Sequence, residues 1–171
     1  MTDTLSDTSR SRADRMKPEH EVIIVGAGVA GIYQIKRLVD LGVDAVVLEA
    51  GEDLCGTWFW NLYPVARFDS ESYTYVYSFS KEVLDEWHWK ERFSGQPENL
   101  RYLNFVADKF GLRQHMQFNA RISAMRFDEE QNIWTVELLD GRKMTTRFVV
   151  TGVGLLSAPT PPKIDGMESF E

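Results

Sequence analysis

The sequence predicts an α/β domain in which helices flank a parallel β-sheet and a small antiparallel β-meander lies beside it. Three observations lead to this fold class. An apolar run at 22–25 is followed by a glycine-rich loop and a helical pattern, a second apolar run occupies 43–48, and short strand patterns recur between 117 and 147. A strand, a helix and a second strand in this order form a βαβ unit, whose two strands are parallel.

The first strand is predicted from Val22 to Val25, four β-branched residues without a break. A parallel strand that is buried on both faces carries apolar residues at every position. The strand ends at Gly26, and the apolar residues that follow recur at helical spacing: Ile32, Ile35, Leu38, Val39 and Leu41. The helix therefore begins in the glycine loop, where its unpaired amide groups favour an anion.

Gly26, Gly28 and Gly31, with Ala27 between the first two, have the GxGxxG spacing of a dinucleotide-binding loop. The first glycine permits a tight turn, the second lets a pyrophosphate approach the backbone, and the third allows the helix to pack on the strand. The second strand ends at Glu49, close to the offset of about 20 residues at which such folds place an acid for ribose hydroxyls. A carboxylate repels the 2′-phosphate of NADP, so the pattern favours FAD or NAD. The alternative for Glu49 is a solvated charge at a strand end.

Composition excludes several classes of function. The 19 Lys and Arg and 26 Asp and Glu give a net charge of −7, which argues against nucleic acid or an anionic membrane as partner. The single cysteine, Cys55, excludes an internal disulfide and suits a cytoplasmic protein. No apolar run approaches the roughly 18 residues of a membrane span. No metal site is predicted, because the histidines lie far apart and no HxxxH or CxxC spacing occurs.

Residues 1–20 lack apolar periodicity, and we expect them to be a disordered leader. Residues 50–80 are rich in aromatic side chains but follow neither the helical period nor, until Tyr73, that of a strand. A long loop of this kind is usually functional. Its rings are expected either to shield a flat cofactor from water, with backbone amides at 56–58 as hydrogen-bond donors, or to form an aromatic core that only packs.

The remaining residues complete the predicted fold. Residues 81–92 are expected to form an exposed helix or turn, and 96–113 a helix that Gly111 ends. Three short antiparallel strands are predicted at 117–127, 133–139 and 143–147. Residues 147–151 read as a further buried strand, followed by glycines and a proline-rich segment.

The motifs GAGVAGIY, EAGEDLCGTWFWNLYPVARFD, ESYTYVYSFS and RFVVTGVGLLSAPTPPKIDGMESF resemble the amino-terminal part of the flavin-dependent Baeyer–Villiger monooxygenases. Steroid, phenylacetone and cyclohexanone monooxygenases belong to this family, and the likeness covers nearly everything from Glu21 to Phe170. It implies a Rossmann-like FAD-binding domain in an enzyme that uses NADPH and O2 to convert ketones to esters or lactones.

The resemblance also implies roles for individual residues. The FAD pyrophosphate is expected at the glycine loop and the adenosine ribose at Glu49. Asp69 matches an acid that lies beside the isoalloxazine and orients a catalytic arginine, whereas its alternative role is to cap the turn at Ser70. The other matched positions contact FAD: Thr57 and Trp58 on the flavin side, Tyr75 at the flavin, Ile122 at adenine through its backbone, and Thr151 and Gly152 in a second turn.

Four positions depart from the family pattern: Cys55, Leu62, Val65 and Phe68 stand where the family has a glycine, an arginine, a proline–glycine pair and a small residue. Val65 matters most, because a glycine there serves a positive φ that a β-branched side chain tolerates poorly.

Family members continue with a second glycine loop for NADPH and a catalytic arginine. We therefore expect residues 21–171 to be the N-terminal portion of an FAD-binding domain that is incomplete at its C-terminus, with the NADPH-binding domain absent. This chain alone is expected to bind FAD weakly and to be inactive. The alternatives are a non-catalytic FAD- or NAD-binding module and a truncated product.

Overall fold

The computed structural model describes residues 16–155, 157–158 and 160–169. The α-helices of this part of the chain are α1 (Val29–Asp40), α2 (Thr57–Trp60), α3 (Lys81–Glu86) and α4 (Gln96–Lys109). The strands are β1 (His20–Val25), β2 (Ala45–Leu48), β3 (Met116–Gln117), β4 (Ile122–Asp128), β5 (Ile133–Leu138) and β6 (Lys143–Thr151). Short 3₁₀ turns occupy Ser72–Thr74, Leu112–His115 and Met167–Ser169.

All six strands belong to one sheet in the order β3-β2-β1-β6-β5-β4. The four strands β3, β2, β1 and β6 are parallel, and β6, β5 and β4 form an antiparallel meander. The strand β1 lies inside the parallel half, where Ile23 and Ile24 are fully buried on opposite faces. The α/β class, the βαβ unit and the meander that the sequence predicts are therefore confirmed.

The strand β6 differs from the prediction, which divided 143–147 and 147–151 into two strands. The structure has one strand, because no glycine, proline or turn residue interrupts Lys143–Thr151. Its first half is antiparallel to β5 and its second half is parallel to β1, so that Thr146 pairs with both Trp134 and His20. The prediction that 147–151 is buried is also wrong, since Phe148 is 58% exposed.

The predicted strand 117–127 is likewise two strands. Met116–Gln117 pairs with β2, and β4 begins only at Ile122. Between them Asn119 has a φ of 53°, a left-handed conformation that asparagine tolerates better than most residues. The turn brings residues 119–120 beside β2, where the Asn119 and Ala120 N–H groups donate to the carbonyls of Gly51 and Glu49.

Each face of the sheet carries its own apolar core. On one face the sheet packs against α1 and α4, with Ile32, Ile35, Leu103 and Val106 fully buried. On the other face the meander covers the apolar side chains of β1 and β2: the cluster is Ile23, Val46, Leu48, Ala120, Val136, Leu138 and Met144. Burial of these two layers is the main favourable contribution to folding, at about 25 cal/mol per Å² of apolar surface.

The N-terminal boundary lies earlier than predicted. His20, which was expected in the disordered leader, is the first residue of β1. The N–H groups of Met16 and Glu19 donate to Gln131 Oε1 (3.3 Å) and Thr145 Oγ1 (3.1 Å), so 16–20 are attached to the meander. Residues 1–15 of the predicted leader lie outside the described residues. Among the described helices, none has the length and apolarity to cross a membrane.

Two non-glycine residues in the aromatic loop adopt positive φ values: Cys55 at 98° and Val65 at 58°. Both are positions where the sequence departs from a family glycine, and the concern about Val65 is confirmed. Val65 is 85% exposed, so its side chain gains almost no burial in return for the backbone strain, which costs about 1–3 kcal/mol.

We predict that Val65→Gly raises the free energy of unfolding by about 1 kcal/mol, because the relief of strain exceeds the added flexibility of the unfolded chain. For a chain of this size this corresponds to an increase in Tm of about 2–4 °C in thermal unfolding followed by circular dichroism. The matched control is Val153→Gly, at a second exposed valine whose φ is not positive. That variant is expected to lower Tm, and an equal decrease for Val65→Gly would contradict the account.

Candidate dinucleotide-binding site

Three glycines meet where β1 ends, α1 begins and β6 ends. A Cβ atom at Gly31 would lie 1.9 Å from the carbonyl oxygen of Gly26, and a Cβ at Gly26 would lie 2.8 Å from that of Gly152. Real Cβ atoms do not approach backbone oxygens so closely. The Gly152 N–H also donates to the Val25 carbonyl (2.8 Å). Side chains are therefore excluded from this point, and the close helix-to-strand packing predicted for Gly31 is present.

Gly28 is the N-cap of α1 and differs from its neighbours. Its backbone is extended, with φ −77° and ψ −166°, and no side chain caps the helix there. A Cβ at Gly28 would meet only the backbone of Gly56, with the Cα at 3.5 Å and the nitrogen at 3.9 Å, which are ordinary contact distances. The protein's own packing therefore leaves room for a side chain at Gly28. No acidic side chain lies within the first turn of α1, and the positive end of its dipole favours an anion there.

A second backbone segment lies against this loop. The Cys55 N–H donates to the Ala27 carbonyl (2.9 Å), and a Cβ at Gly56 would lie 2.8 Å from the Gly28 Cα. Gly56 is the N-cap of α2, so half-buried Thr57 follows directly. Of the amides expected to be free at 56–58, that of Trp58 is not, because it donates to the Cys55 carbonyl (3.1 Å).

Glu49 connects the end of β2 to the glycine loop. Its Oε2 accepts from the Ala27 N–H (2.7 Å) and its Oε1 from the Gly51 N–H (2.8 Å). The side chain is only 5% exposed, so the alternative of a solvated strand-end charge is wrong. A carboxylate has about four acceptor positions, and two of these are used here. The ribose contact predicted for Glu49 remains a prediction that this geometry permits.

The aromatic side chains of the 50–80 loop pack on one another. Trp58 Nε1 donates to the Tyr75 hydroxyl (2.9 Å), and the ring centroids of Phe68 and Tyr75 lie 4.6 Å apart in a stacked arrangement. The rings therefore pack as an aromatic core, which is compatible with both roles that the sequence left open. An apolar pocket of about 150 Å³ lies beside it, lined by Tyr75, Tyr77 and Val29 of the first turn of α1 among others. Shielding of a cofactor by this core remains a prediction.

Three further predicted residues lie at the margins of the site. Thr151 ends β6 beside Val25 and is exposed. Ile122 begins β4 two residues after Ala120, whose N–H bonds the Glu49 carbonyl, so its backbone lies near the end of β2. Asp69 is exposed, and within the described part of the chain no residue hydrogen-bonds its carboxylate. The turn-capping role at Ser70 is therefore not realised.

Sequence reasoning missed residues that hold the site together through long-range contacts. Arg113 pairs with Asp53 Oδ1 (2.7 Å) and with Asp108 Oδ1 (2.8 Å), which ties the loop after β2 to the end of α4. The Cys55 thiol is fully buried, and that burial raises its pKa, so it is an unreactive part of the same region. No local motif marks the pair between Arg113 and Asp53, which joins positions 60 residues apart in sequence.

A glycine loop between the first parallel strand and its helix, backed by an acid at the tip of the next strand, defines a dinucleotide-binding fold of the Rossmann type. Residues 19–146 match the sequence model of the family described as flavin-binding monooxygenase-like, and the chain belongs to this family.

The relatives are monooxygenases. A 2-oxo-Delta(3)-4,5,5-trimethylcyclopentenylacetyl-CoA monooxygenase from Pseudomonas putida is 44% identical over 90% of this chain and 28% of its own length. Cyclohexanone 1,2-monooxygenase from Acinetobacter sp. is 36% identical over 91% of this chain and 29% of its own length. The oxidised steroid monooxygenase bound to NADP superposes with a TM-score of 0.82 at 43% identity, over 87% of this chain and 29% of that structure.

The predicted resemblance to Baeyer–Villiger monooxygenases is thus confirmed, and solved neighbours include a complex with both FAD and NADP. The chain spans less than a third of the length of these relatives.

We predict that Glu49→Gln destabilises the glycine loop. The amide offers one acceptor oxygen, so one of the two backbone N–H groups faces an NH2 donor and loses its hydrogen bond, at a cost of about 1–3 kcal/mol. Glu52→Gln, three positions away on an exposed side chain, removes the same charge and is expected to change stability by at most about 0.5 kcal/mol. Urea unfolding of both variants measures the difference, and equal midpoints would show that Glu49 does not support the loop.

Proposed function

We propose that the chain is the FAD-binding portion of an NADPH- and O2-dependent flavoprotein monooxygenase that converts ketones to esters or lactones. The observation that carries FAD binding is the uncapped N-terminus of α1 at Gly28, where the space for a side chain borders only the backbone of Gly56. Related proteins named acetone monooxygenase (methyl acetate-forming) and cyclohexanone 1,2-monooxygenase support the ketone class.

In this proposal FAD extends from the glycine loop to the aromatic loop. The amides at Gly28 and the first turn of α1 bind the pyrophosphate, Glu49 binds the adenosine ribose, and the backbone at Ile122 lies beside adenine. Trp58 and Tyr75 line the flavin end with Thr57, and Thr151 and Gly152 supply the second turn. Bound FAD supplies the redox and oxygen chemistry of the reaction.

The chain's own side chains set the surroundings of that chemistry. The packed rings of Trp58, Phe68 and Tyr75 exclude water from one side of the site. Burial raises the pKa of Tyr75, so its hydroxyl stays neutral and accepts from Trp58. Asp69 places a negative charge near the flavin, which is the position from which it orients a catalytic arginine. We assign NADPH binding and that arginine to parts of the protein outside these 171 residues, and a cytoplasmic location to the whole.

A second candidate is oxidation of nitrogen by the same cofactor. A phenazine N-monooxygenase from Lysobacter antibioticus is 40% identical over 92% of this chain. Assays of the longer protein that carries these residues distinguish the two candidates. Ketone-dependent NADPH oxidation with ester formation supports the first candidate. Formation of an N-oxide, without ester formation from ketones, supports the second. A non-catalytic FAD- or NAD-binding module would give neither product.

We predict that Gly28→Ala weakens FAD binding at least about tenfold, equivalent to about 1.4 kcal/mol, because its methyl group occupies the space beside the helix amides. Fold stability is expected to change little, since the Cβ meets only the Gly56 backbone, at 3.5 Å or more. Quenching of FAD fluorescence measures the affinity.

The matched control is Gly95→Ala. Gly95 is also an uncapped helix N-cap, with nearly the same φ of −78°, and a Cβ there meets nothing closer than 3.6 Å. This variant is expected to bind FAD like the unsubstituted chain. Equal FAD affinity of the two alanine variants would contradict the proposed cradle.

A further inference from the structure

Tyr77 connects the glycine-loop helix α1 to α4, which packs on the same face of the sheet. Its hydroxyl donates to the Val29 carbonyl (2.6 Å), and its own N–H donates to the Tyr102 hydroxyl of α4 (2.7 Å). Its ring stacks between Tyr33 of α1 and Tyr102, with centroids 6.4 and 6.0 Å away. One residue of the aromatic loop therefore contacts both helices through polar and apolar groups.

The Tyr77 hydroxyl contacts α1 at its N-terminus, the end that is proposed to bind the pyrophosphate. Val29 is the first residue of α1, directly after the N-cap Gly28. No side chain caps this helix end, and the polar contacts from Glu49 and Cys55 reach the preceding residue, Ala27. The glycines at 26 and 31 fix it from the side of the sheet, and the Tyr77 hydroxyl fixes it from the side of α4. A hydrogen bond from a residue 48 positions away in sequence thus holds the first residue of this turn.

The Tyr77 hydroxyl is suited to act as a permanent hydrogen-bond donor. Burial raises the pKa of Tyr77 far above its ordinary value, so the phenol remains protonated and donates at every working pH. The neighbouring Tyr75 differs, since its hydroxyl accepts from Trp58 Nε1 and points into the aromatic core. The two tyrosines therefore have separate tasks.

We propose that Tyr77 is a positioning residue that aims the first-turn amides of α1 at the pyrophosphate of the bound dinucleotide. This rests on the proposed FAD binding. Tyr77 acts through Val29 and not through a contact with the flavin ring. Removal of its hydroxyl consequently weakens every ligand that carries the adenosine pyrophosphate, whether or not a flavin is attached.

The test compares Tyr77→Phe with Tyr102→Phe in the 171-residue chain, with FAD and ADP as two separate probes. Each variant deletes one hydroxyl from the same hydrogen-bonded chain and keeps its ring, but only Tyr77→Phe releases α1. Isothermal titration well below the Tm of each variant measures affinity for fully folded protein. We expect Tyr77→Phe to bind both FAD and ADP about five- to tenfold more weakly, the effect of one hydrogen bond. Tyr102→Phe is expected to lower Tm while changing both affinities less than about twofold.

The other outcomes overturn the inference in distinguishable ways. Weaker binding of FAD with unchanged ADP in Tyr77→Phe would show a direct flavin contact. Equal losses in the two variants would show a general packing role. Normal affinity of Tyr77→Phe would show that the Val29 contact has no influence on the site. Failure of the unsubstituted chain to bind either probe would overturn the proposed function itself, and this inference with it.

Discussion

The structure depends on one backbone contact, the approach of Gly31 in α1 to the carbonyl of Gly26 at the end of β1. A side chain at Gly31 would overlap that oxygen at 1.9 Å, and Gly152 closes the same point from β6. Three chain segments can meet here only because none of them carries a Cβ at the contact. The meeting sets α1 against the carboxyl ends of the parallel strands, which is where open α/β sheets bind their ligands. The glycine contact therefore places the N-terminus of α1, the end that favours an anion, at this edge of the sheet.

The surrounding contacts hold the loop without using the amides that a ligand needs. The Glu49 carboxylate accepts from the Ala27 N–H, and the Cys55 N–H donates to the Ala27 carbonyl. The Tyr77 hydroxyl donates to the Val29 carbonyl. Each of these contacts leaves the N–H groups of the first turn of α1 available. The positive φ of Cys55 is a local cost of this arrangement, and strain of this kind persists where the surrounding structure fixes the backbone.

The sequence predicted those parts of the fold that depend on local pattern. A β-branched run, a glycine spacing and a helical period were sufficient for β1, the loop and α1. The positive φ at Val65 was expected only from the resemblance to the monooxygenase family, which has a glycine there. The predictions failed where the pairing between strands determines the strand boundaries. Thr146 bonds to two strands of opposite direction, and the turn at Asn119 divides one apolar stretch between two partners. Within the site, the inward position of Glu49 and the tie from Tyr77 to Val29 depend on residues more than 20 positions apart, which no local motif records.

The central claim is that the backbone at the start of α1 binds the pyrophosphate of a flavin dinucleotide. Backbone amide chemical shifts of the ¹⁵N-labelled chain, followed during titration with FAD, test it most directly. The account predicts that the amides of residues 28–31 and 56–57 move first and furthest, in a saturable manner, while those of the β4–β5 hairpin at 128–133 stay in place. Saturable binding that leaves residues 28–31 unchanged would contradict it.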